Sequence, residues 1–243
     1  MNLIVEQGNT HLKVALFDEK KIVASFFGNG DAYAQIEKIF ETYRPTQGIW
    51  SSVAGADDVL INDLQARLSY FLRFNAATPV PVVIRYETRE TLGLDRIAAV
   101  VGALEKQAGK NILIIDAGTA ITYEVIEASG TYIGGNISPG MTSRFRSLNL
   151  FTQQLTLLTE KEEVPLIGTC TESAILAGVV NGIVYEMDGY IETLKEKYGR
   201  IFVFLTGGNS IYFEKRLKSH IFADANLVLY GLNRILEYNA NKN

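Results

Sequence analysis

An acidic residue, a glycine and a hydroxyl follow an apolar run in the middle of the chain. Residues 112–115 are all apolar, which is typical of a buried strand, and Asp116, Gly118 and Thr119 come shortly after it. A carboxylate at such a strand end can hold a metal ion or its waters, and backbone N–H groups in the turn can meet phosphoryl oxygens. The segment therefore predicts a site for a metal-bound phosphate, with Gly118 allowing a sharp turn.

The same pattern occurs near the N-terminus, where residues 3–5 are apolar and Glu6 and Gly8 stand at the equivalent positions. Each segment alone is also compatible with an ordinary hairpin turn, for which Gly8-Asn9 is well suited. Because both copies occur in one chain of 243 residues, they indicate two duplicated halves that face one nucleotide. Backbone N–H groups around Gly8 and Gly118 are expected to contact its phosphates.

The spacing of apolar residues predicts an α/β fold in which the second half repeats the plan of the first. Predicted strands cover 2–6, 11–17, 21–27, 47–53, 80–84, 111–116, 119–127, 131–138 and 201–205. Predicted helices cover 31–44 with Asp31 as N-cap, 57–70, 91–107, 143–159, 171–197 and 226–238. The first seven elements follow the order of a ribonuclease-H-like half. The boundary is placed after Gly109, which predicts domains at 1–109 and 110–243.

Further segments carry groups that suit a substrate or a nucleotide. Gly93-Leu94-Asp95-Arg96 lies at the predicted entrance of a helix. Asp95 is either a first-turn carboxylate that interacts with the helix dipole or a general base, and Arg96 is either solvated or an anion clamp. The glycines of 134–140 and 206–208 either form plain turns or let a nucleotide base or ribose approach the backbone.

Composition argues against several classes of protein. The net charge of −4 and the absence of a basic run in the sequence argue against a nucleic-acid partner. Apolar stretches fall far short of the roughly 20 residues that span a bilayer, and no signal-peptide pattern opens the sequence, so a cytoplasmic protein without a membrane partner is expected. The single cysteine, Cys170, rules out an intrachain disulfide and is expected to be buried and apolar. P-loop and dinucleotide-binding motifs do not occur in the sequence.

The ordered set of motifs resembles that of the type III pantothenate kinases, from residue 2 to about residue 231. The shared motifs are Glu6-x-Gly-Asn-Thr10, Tyr86 before Gly93-x-Asp95-Arg96, Asp116-x-Gly-Thr-Ala-x-Thr122, Gly134-Gly-x-Ile-x-Pro-Gly140, Ile167-Gly168-x-x-Thr171 with Gly178, and Thr206-Gly-Gly208. These kinases belong to the superfamily of acetate and sugar kinases, heat-shock protein 70 and actin. The resemblance implies two duplicated ribonuclease-H-like domains with mixed sheets flanked by helices. It also implies ATP-dependent phosphorylation of pantothenate to 4'-phosphopantothenate, the first step of coenzyme A biosynthesis.

The resemblance implies roles for individual residues as well. Asp95 would take the proton of the pantothenate primary hydroxyl, and Arg96 would lie near the pantothenate carboxylate. Asp116 would bind a monovalent cation, K⁺ or NH₄⁺, and Glu6 would face the Mg²⁺ that accompanies ATP. Pantothenate would be held by Tyr86, Gly93, Leu94, Asp95, Arg96 and Thr171. ATP would be contacted by Glu6, Gln7, Gly8, Asn9, Thr10, His11, Leu12, Lys13 and Thr119. The family forms homodimers in which the subunit interface completes the substrate site.

Two positions depart from the family pattern. Glu6 replaces an aspartate, and one extra methylene moves the carboxylate by more than about 1 Å, a displacement that can cost about a hundredfold in rate. Arg89 stands where many members carry a proline between Tyr86 and Gly93, which affects the substrate loop rather than a catalytic group. Two alternatives to a pantothenate kinase therefore stay open. One is another small-molecule kinase of the superfamily, and the other is a non-catalytic regulatory or binding protein.

Overall fold

The computed structural model describes residues 1–8, 11–28, 32–55 and 57–241, which form two compact units. Unit 1 comprises the described residues of Met1–Ala108, Gly130–Tyr132 and Asn226–Asn243, and unit 2 comprises Gly109–Ser129 and Ile133–Ala225. The predicted N-cap Asp31 lies outside the described residues. Each helix of the described part is too short or too polar to cross a bilayer.

Strands and helices are numbered in chain order. The strands are β1 Asn2–Gln7, β2 Leu12–Asp18, β3 Lys21–Gly28, β4 Gln47–Ser52, β5 Tyr70–Arg73, β6 Val83–Ile84, β7 Asn111–Ala117, β8 Ala120–Ile126, β9 Thr131–Pro139, β10 Ile201–Thr206 and β11 Phe222–Ala223. The helices are α1 Ala32–Tyr43, α2 Asp58–Arg67, α3 Leu94–Lys106, α4 Met141–Phe151, α5 Thr171–Tyr198, α6 Ser210–Glu214 and α7 Leu227–Ala240.

Unit 1 is built on a five-stranded sheet in the order β3-β2-β1-β4-β5. β1 lies at the centre of this sheet, antiparallel to β2 and parallel to β4. Its apolar residues Leu3, Ile4 and Val5 are completely buried, as a continuous apolar run in a central strand requires. The register pairs Glu6 with Lys13 of β2, so the Glu6 carboxylate lies near the C-terminal end of β1, across from a lysine.

Two helices of unit 1, α3 and α7, pack with their backbones in contact. A Cβ atom at Gly102 of α3 would lie 2.2 Å from the carbonyl oxygen of Leu227, and one at Gly231 of α7 would lie 1.8 Å from that of Ala98. The sequence-based boundary after Gly109 placed α7 in the second half. That assignment differs from the compact units, because this close packing joins α7 to unit 1.

We expect Gly231→Ala to destabilise the fold by about 3 kcal/mol, because a methyl group facing a backbone carbonyl forces the two helices apart. A matched control is Gly189→Ala in α5, where no described atom lies within 4 Å of the added Cβ. The control should be neutral or stabilise by up to about 1 kcal/mol through helix propensity. Urea denaturation of both variants measures the difference, and equal stabilities would contradict the close packing of α3 and α7.

Unit 2 contains the strands β11-β10-β7-β8-β9 in that order, with β7 parallel to β10 and antiparallel to β8. The long helix α5 packs on this sheet through a continuous apolar core that includes Val180, Ile183 and Met187. β6 pairs with Thr131 and Tyr132 at the start of β9, and these residues belong with β6 in unit 1. The predicted strands β7, β8, β9 and β10 and the predicted helix α5 are confirmed within one residue at either end.

Other predicted elements differ from the observed ones. The predicted helix 57–70 ends at Arg67, and β5 begins at Tyr70. The predicted strand 80–84 is reduced to the two residues of β6. The predicted helix 91–107 begins at Leu94, because Arg89–Thr91 form a separate 3₁₀ turn.

The predicted helix 143–159 is wrong in its second half. α4 ends at Phe151, and residues 152–170 contain no helix or strand. From this segment three apolar residues pack against the core of unit 2, namely Leu155, Leu158 and Val164. Leu155 and Leu158 fall within the helix predicted at 143–159, but they contact the core from an irregular segment.

The prediction of a buried Cys170 is also wrong. Cys170 is exposed because it caps the N-terminus of α5. Its backbone N–H donates a hydrogen bond to Ser173 Oγ at 3.1 Å, and its Sγ lies 3.3 Å from the same oxygen. Hydrogen bonds to Sγ from the Ser173 side chain and from the Ser173 backbone N–H lower the pKa of the Cys170 thiol.

Candidate active site

The carboxylate of Glu6 is buried at the carboxyl end of β1, with 8% of the residue exposed. Its Oε2 lies 3.3 Å from Lys13 Nζ, an ion pair whose geometry falls short of a hydrogen bond. Among the described residues, this buried oxygen has no hydrogen-bond partner. Burial raises the pKa of Glu6, Lys13 opposes that shift, and the charge of Asp95 adds to it. The predicted Mg²⁺-facing carboxylate and the predicted base therefore lie within each other's electrostatic field.

The turns at Gly8 and Gly118 each contain an internal hydrogen bond donated by the glycine N–H group. Gly8 N–H donates to the carbonyl oxygen of His11 at 3.0 Å, and Gly118 N–H donates to that of Ala120 at 3.0 Å. These two N–H groups are thus already hydrogen-bonded within the chain, which leaves phosphate contacts to other groups of the turns. Neither glycine has a positive φ angle, so the sharp turn predicted at Gly118 does not depend on the left-handed region.

The other predicted ATP contacts in this hairpin have distinct environments. Leu12 is buried in the core of unit 1, so its side chain does not face a ligand there. The His11 ring packs against Phe27 with ring centroids 5.0 Å apart. The Gln7 side chain donates to the carbonyl oxygen of Gly8 at 3.2 Å. Predictions for Asn9 and Thr10 lie outside the described residues.

The entrance of α3 places Asp95 in the first helical turn, with Gly93 as the N-cap. The half-buried carboxylate accepts a hydrogen bond from the backbone N–H of Arg96 at 2.8 Å. The N-terminal end of the helix dipole favours this negative charge. A Cβ atom at Gly93 would lie 2.5 Å from Asp95 Oδ1, so glycine leaves the space that the carboxylate occupies.

We expect Gly93→Ala to lower kcat by about tenfold to a hundredfold, because the added methyl group displaces the Asp95 carboxylate by the order of 1 Å. The φ angle of −54° at residue 93 suits alanine, so the melting temperature should change little. Steady-state kinetics and thermal melting measure both effects. If the methyl group acts through Asp95, adding it to an Asp95→Asn variant should cause little further loss. A full additional loss in the double variant would contradict this explanation.

Arg96 and two tyrosines form a cluster beside Asp95 in unit 1. Arg96 is 6% exposed, and its Nη2 donates to the hydroxyl of Tyr132 at 3.1 Å. Its guanidinium carbon lies 5.4 Å from the ring centroid of Tyr86. The rings of Tyr86 and Tyr132 stack with centroids 6.2 Å apart and an interplanar angle of 8°. The structure thus brings together Tyr86, Asp95 and Arg96, which were predicted, and Tyr132, which was not.

In unit 2, Asp116 lies half-buried at the end of β7, against the backbone of residue 207. A Cβ atom at Gly207 would lie 2.4 Å from Asp116 Oδ1, and the φ angle of +90° at this position favours glycine. Asn209 N–H donates to the carbonyl oxygen of Ala117 at 3.0 Å. The predicted glycine segment 206–208 therefore supports the carboxylate of Asp116 through its backbone.

The glycine segment 134–140 supports the same turn from another side. The carbonyl oxygen of Thr119 accepts hydrogen bonds from Gly140 N–H at 3.0 Å and from Ser143 Oγ at 2.7 Å. A Cβ atom at Gly140 would lie 2.1 Å from the carbonyl oxygen of Gly118. Glycine at position 140 is thus explained by contact with the turn itself, while Thr119 remains exposed to solvent.

The described residues can be compared with the ligands that Mg²⁺ and a monovalent cation would need. Within 1–8, 11–28, 32–55 and 57–241, no group of three or more His, Cys, Asp or Glu side chains could hold a metal ion. Mg²⁺ bound to ATP needs only one or two carboxylates, since phosphates and waters complete its shell. The buried Oε2 of Glu6 fits such a role because it lacks a hydrogen-bond partner within the described chain. The half-buried carboxylate of Asp116 supplies oxygen donors, the kind of ligand that hard cations take.

We expect the stability of the wild-type protein to fall relative to Glu6→Gln as the pH rises above 4.5, the ordinary pKa of glutamate. A raised pKa means that the folded state binds this proton more tightly than the unfolded state, so ionisation at higher pH costs stability. Urea denaturation at pH 4 and pH 8 compares the two proteins. Glu37→Gln is a control of opposite sign, because Arg67 lowers the pKa of Glu37. A pH-independent difference between wild type and Glu6→Gln would contradict the raised pKa.

Comparison with known proteins connects these residues to a family. The family model described as type III pantothenate kinase matches residues 2–193. The chain is 46% identical over 239 residues to a type III pantothenate kinase of Phocaeicola vulgatus, covering 98% of this chain and 99% of the relative. It is 44% identical over 241 residues to a type III pantothenate kinase of Porphyromonas gingivalis, covering 98% of each.

Solved structures support the fold assignment. A protein of Campylobacter jejuni described as a Baf-family transcriptional activator aligns over 98% of this chain and 99% of its own, with a TM-score of 0.61 and 21% identity. At that identity the likeness concerns the fold alone. The predicted actin-like architecture with mixed sheets and flanking helices is confirmed. The family model and the two relatives together show that the chain belongs to the type III pantothenate kinase family.

Proposed function

We propose how the residues of this chain carry out the reaction of its family, the phosphorylation of pantothenate by ATP at the start of coenzyme A biosynthesis. Phosphoryl transfer of this kind depends on positioning and charge stabilisation more than on covalent catalysis. The observation that carries the proposal is the cluster in unit 1. There Asp95 stands at a helix N-terminus, Arg96 is buried beside two stacked tyrosines, and Asp95 is close enough to Glu6 to contribute to the raised pKa of Glu6.

Asp95 is proposed as the general base for the primary hydroxyl of pantothenate. Its carboxylate is partly exposed and is oriented by the N–H of Arg96, which donates to Asp95 Oδ1 at 2.8 Å. Asp95 lies near enough to Glu6 for its charge to raise the pKa of Glu6. Glu6 itself is held by Lys13, whose ammonium group at 3.3 Å can also approach phosphate oxygens.

Arg96 is proposed to bind the carboxylate of pantothenate. A guanidinium group presents a rigid fork of N–H donors that matches a carboxylate in a bidentate way. Burial of this group strengthens its attraction for an anion, because the local dielectric constant is lower than in water. Tyr86, Gly93 and Leu94 border the same helix entrance and are proposed to complete the pocket.

Two cations are proposed to assist. Mg²⁺ would be held by ATP phosphates and, through water, by Glu6, and it neutralises charge on the transferred group when bound. A monovalent cation, K⁺ or NH₄⁺, would be held by Asp116, whose carboxylate is fixed against Gly207. Thr119, exposed on the adjoining turn, is proposed to meet the ATP phosphates.

A homodimer is proposed as the working form. Unit 2 carries an open groove of about 400 Å³ along the first half of α5, near the exposed Thr171. Its lining includes the exposed apolar residues Leu166, Ile167 and Tyr185. Apolar side chains of this size at a groove support self-association, which would bring Thr171 into the substrate site. Sedimentation velocity of the wild type measures the assembly state.

A coupled ADP-release assay tests the proposed function against both alternatives. The acceptors are pantothenate and hexosamines, each with and without K⁺ or NH₄⁺, at millimolar ATP and Mg²⁺. The proposal expects ADP release that depends on pantothenate and on the monovalent cation. ADP release with a hexosamine instead would favour a sugar kinase. No pantothenate-dependent ADP from the wild type, with activity restored by Glu6→Asp, would indicate that Glu6 has converted the chain into a binding protein.

A further inference from the structure

We propose that Tyr132 is a positioning residue that orients the guanidinium group of Arg96 for the carboxylate of pantothenate. The inference rests on the proposed function for its substrate and deepens it by naming a residue outside the predicted site. Tyr132 lies on β9, two residues before the glycine segment 134–140, and it belongs to none of the sequence motifs of the predicted site.

The hydroxyl of Tyr132 is one anchor for the guanidinium group. It accepts a hydrogen bond from Arg96 Nη2 at 3.1 Å, and Tyr132 is completely buried while Arg96 is 6% exposed. A buried guanidinium group with five N–H donors needs acceptors placed around it. The tyrosine hydroxyl supplies one such acceptor. It adds no negative charge that would compete with the pantothenate carboxylate for Arg96.

The ring of Tyr132 provides a second contact, with Tyr86. It stacks against Tyr86, whose own ring lies 5.4 Å from the Arg96 guanidinium carbon. The backbone completes the link, because Ile84 of β6 pairs with Tyr132 and Arg85 N–H donates to the Tyr132 carbonyl oxygen at 2.9 Å. Tyr132 therefore fixes both the strand that leads to Tyr86 and the arginine on α3.

Fixing Arg96 before the substrate arrives improves binding. An arginine side chain loses considerable rotational freedom when it is held in one geometry, and a preorganised fork has lost that freedom in advance. Tyr132→Phe keeps the buried ring and its stacking but removes the acceptor for Nη2. The guanidinium group should then sample other orientations, and pantothenate should bind less tightly.

The kinetic test is the Tyr132→Phe variant at saturating ATP. We expect KM for pantothenate to rise about tenfold, while kcat and KM for ATP stay within about twofold. The matched control is Tyr123→Phe in unit 2, which removes the hydroxyl of another completely buried tyrosine that donates to Glu186 Oε1 at 2.7 Å. The control should leave KM for pantothenate unchanged. A fall in kcat with unchanged KM, or an equal rise of KM in the control, would overturn the proposal.

A double-variant cycle separates positioning from a general structural role. If Tyr132 acts through the guanidinium fork, Tyr132→Phe should change kcat/KM for pantothenate by less than about twofold when Arg96 is already replaced by lysine. An undiminished tenfold loss in the Arg96→Lys background would show that Tyr132 acts independently of Arg96, and the proposal would be abandoned.

A measurement without substrate tests the role of Tyr132 independently of the proposed phosphorylation of pantothenate. In ¹⁵N-arginine NMR spectra, a restrained guanidinium group gives resolved Nη signals, and the Arg96 signals are assigned by their loss in Arg96→Lys. We expect resolved signals in the wild type and averaged signals in Tyr132→Phe. Identical Arg96 signals in both proteins would refute the positioning role. The absence of pantothenate-dependent ADP release would instead refute the proposed function and leave the NMR result to decide on Tyr132.

Discussion

Asp95→Asn is expected to lower kcat about a thousandfold while KM for ATP and for pantothenate changes by less than about threefold. General-base catalysis contributes about a hundredfold to ten-thousandfold in enzymes, and the hydroxyl of pantothenate has a high pKa of its own. Asparagine has the same shape and can still accept the hydrogen bond from Arg96 N–H through its amide oxygen. It cannot take up a proton, so binding should survive and turnover should not.

The control for this substitution is Asp58→Asn, which makes the same change in the first turn of another helix of unit 1. Asp58 is exposed and lies 4.0 Å from Arg73, so its replacement should leave kcat unaltered. Quenched-flow measurement of product in a single turnover shows that the chemical step is the one affected. Near-normal turnover by Asp95→Asn would contradict its role as base.

Arg96→Met is expected to raise KM for pantothenate about a hundredfold, with a smaller effect on kcat. Methionine fills a similar volume in the buried position and carries no charge itself. The substrate carboxylate then enters a pocket that has lost its cation, and its desolvation is no longer compensated. Calorimetric titration of pantothenate and steady-state kinetics together measure the loss.

Arg67→Met serves as the control for removing a packed arginine. Arg67 also lies over an aromatic ring, with its guanidinium carbon 3.7 Å from the centroid of Phe40, and it pairs with Glu37 in unit 1. Its loss should lower stability slightly without changing KM for pantothenate. If both arginine variants raised KM equally, the effect of Arg96→Met would be structural, and the carboxylate would have to be bound elsewhere.

The elements that carry the site are largely predictable from local sequence. The central strands β1 and β7 are continuous apolar runs that end in an acid and a glycine, and both were recognised from that pattern alone. The helix that carries Asp95 and Arg96 was predicted from its helical period, although it begins at Leu94 rather than at Thr91. These features depend on neighbours in the chain, which is why local patterns indicated them.

Features that depend on contacts distant in sequence were missed. Tyr132 lies 36 residues from Arg96 in the sequence, and the strand β6 that pairs with the start of β9 has only two residues, which leaves almost no pattern. The assignment of α7 to unit 1 depends on Gly102 and Gly231. In the sequence, a glycine inside a helix only indicates low helix propensity, and the close contact between α3 and α7 that it allows is not visible. The exposed Cys170 was misjudged because a cysteine at a helix N-cap is uncommon.

The structure distinguishes between the two roles, turn or ligand contact, that the sequence allows for the glycine segments. Sequence alone allowed the glycines at 140 and 207 to serve either a turn or a ligand. In the structure, a side chain at either position would collide with the turn that carries Asp116 or with the carboxylate itself. They therefore let two loops close around the turn that carries Asp116, the residue proposed to hold a monovalent cation.

The most direct test of the account is to identify the product. The purified chain is incubated with ATP, Mg²⁺, K⁺ and pantothenate, and the mixture is followed by ³¹P NMR and mass spectrometry. We predict one 4'-phosphopantothenate for each ADP, with the phosphoryl group on the primary hydroxyl, and no such product from Asp95→Asn. Hydrolysis of ATP without phosphorylated pantothenate, or a product phosphorylated at another position, would contradict the account.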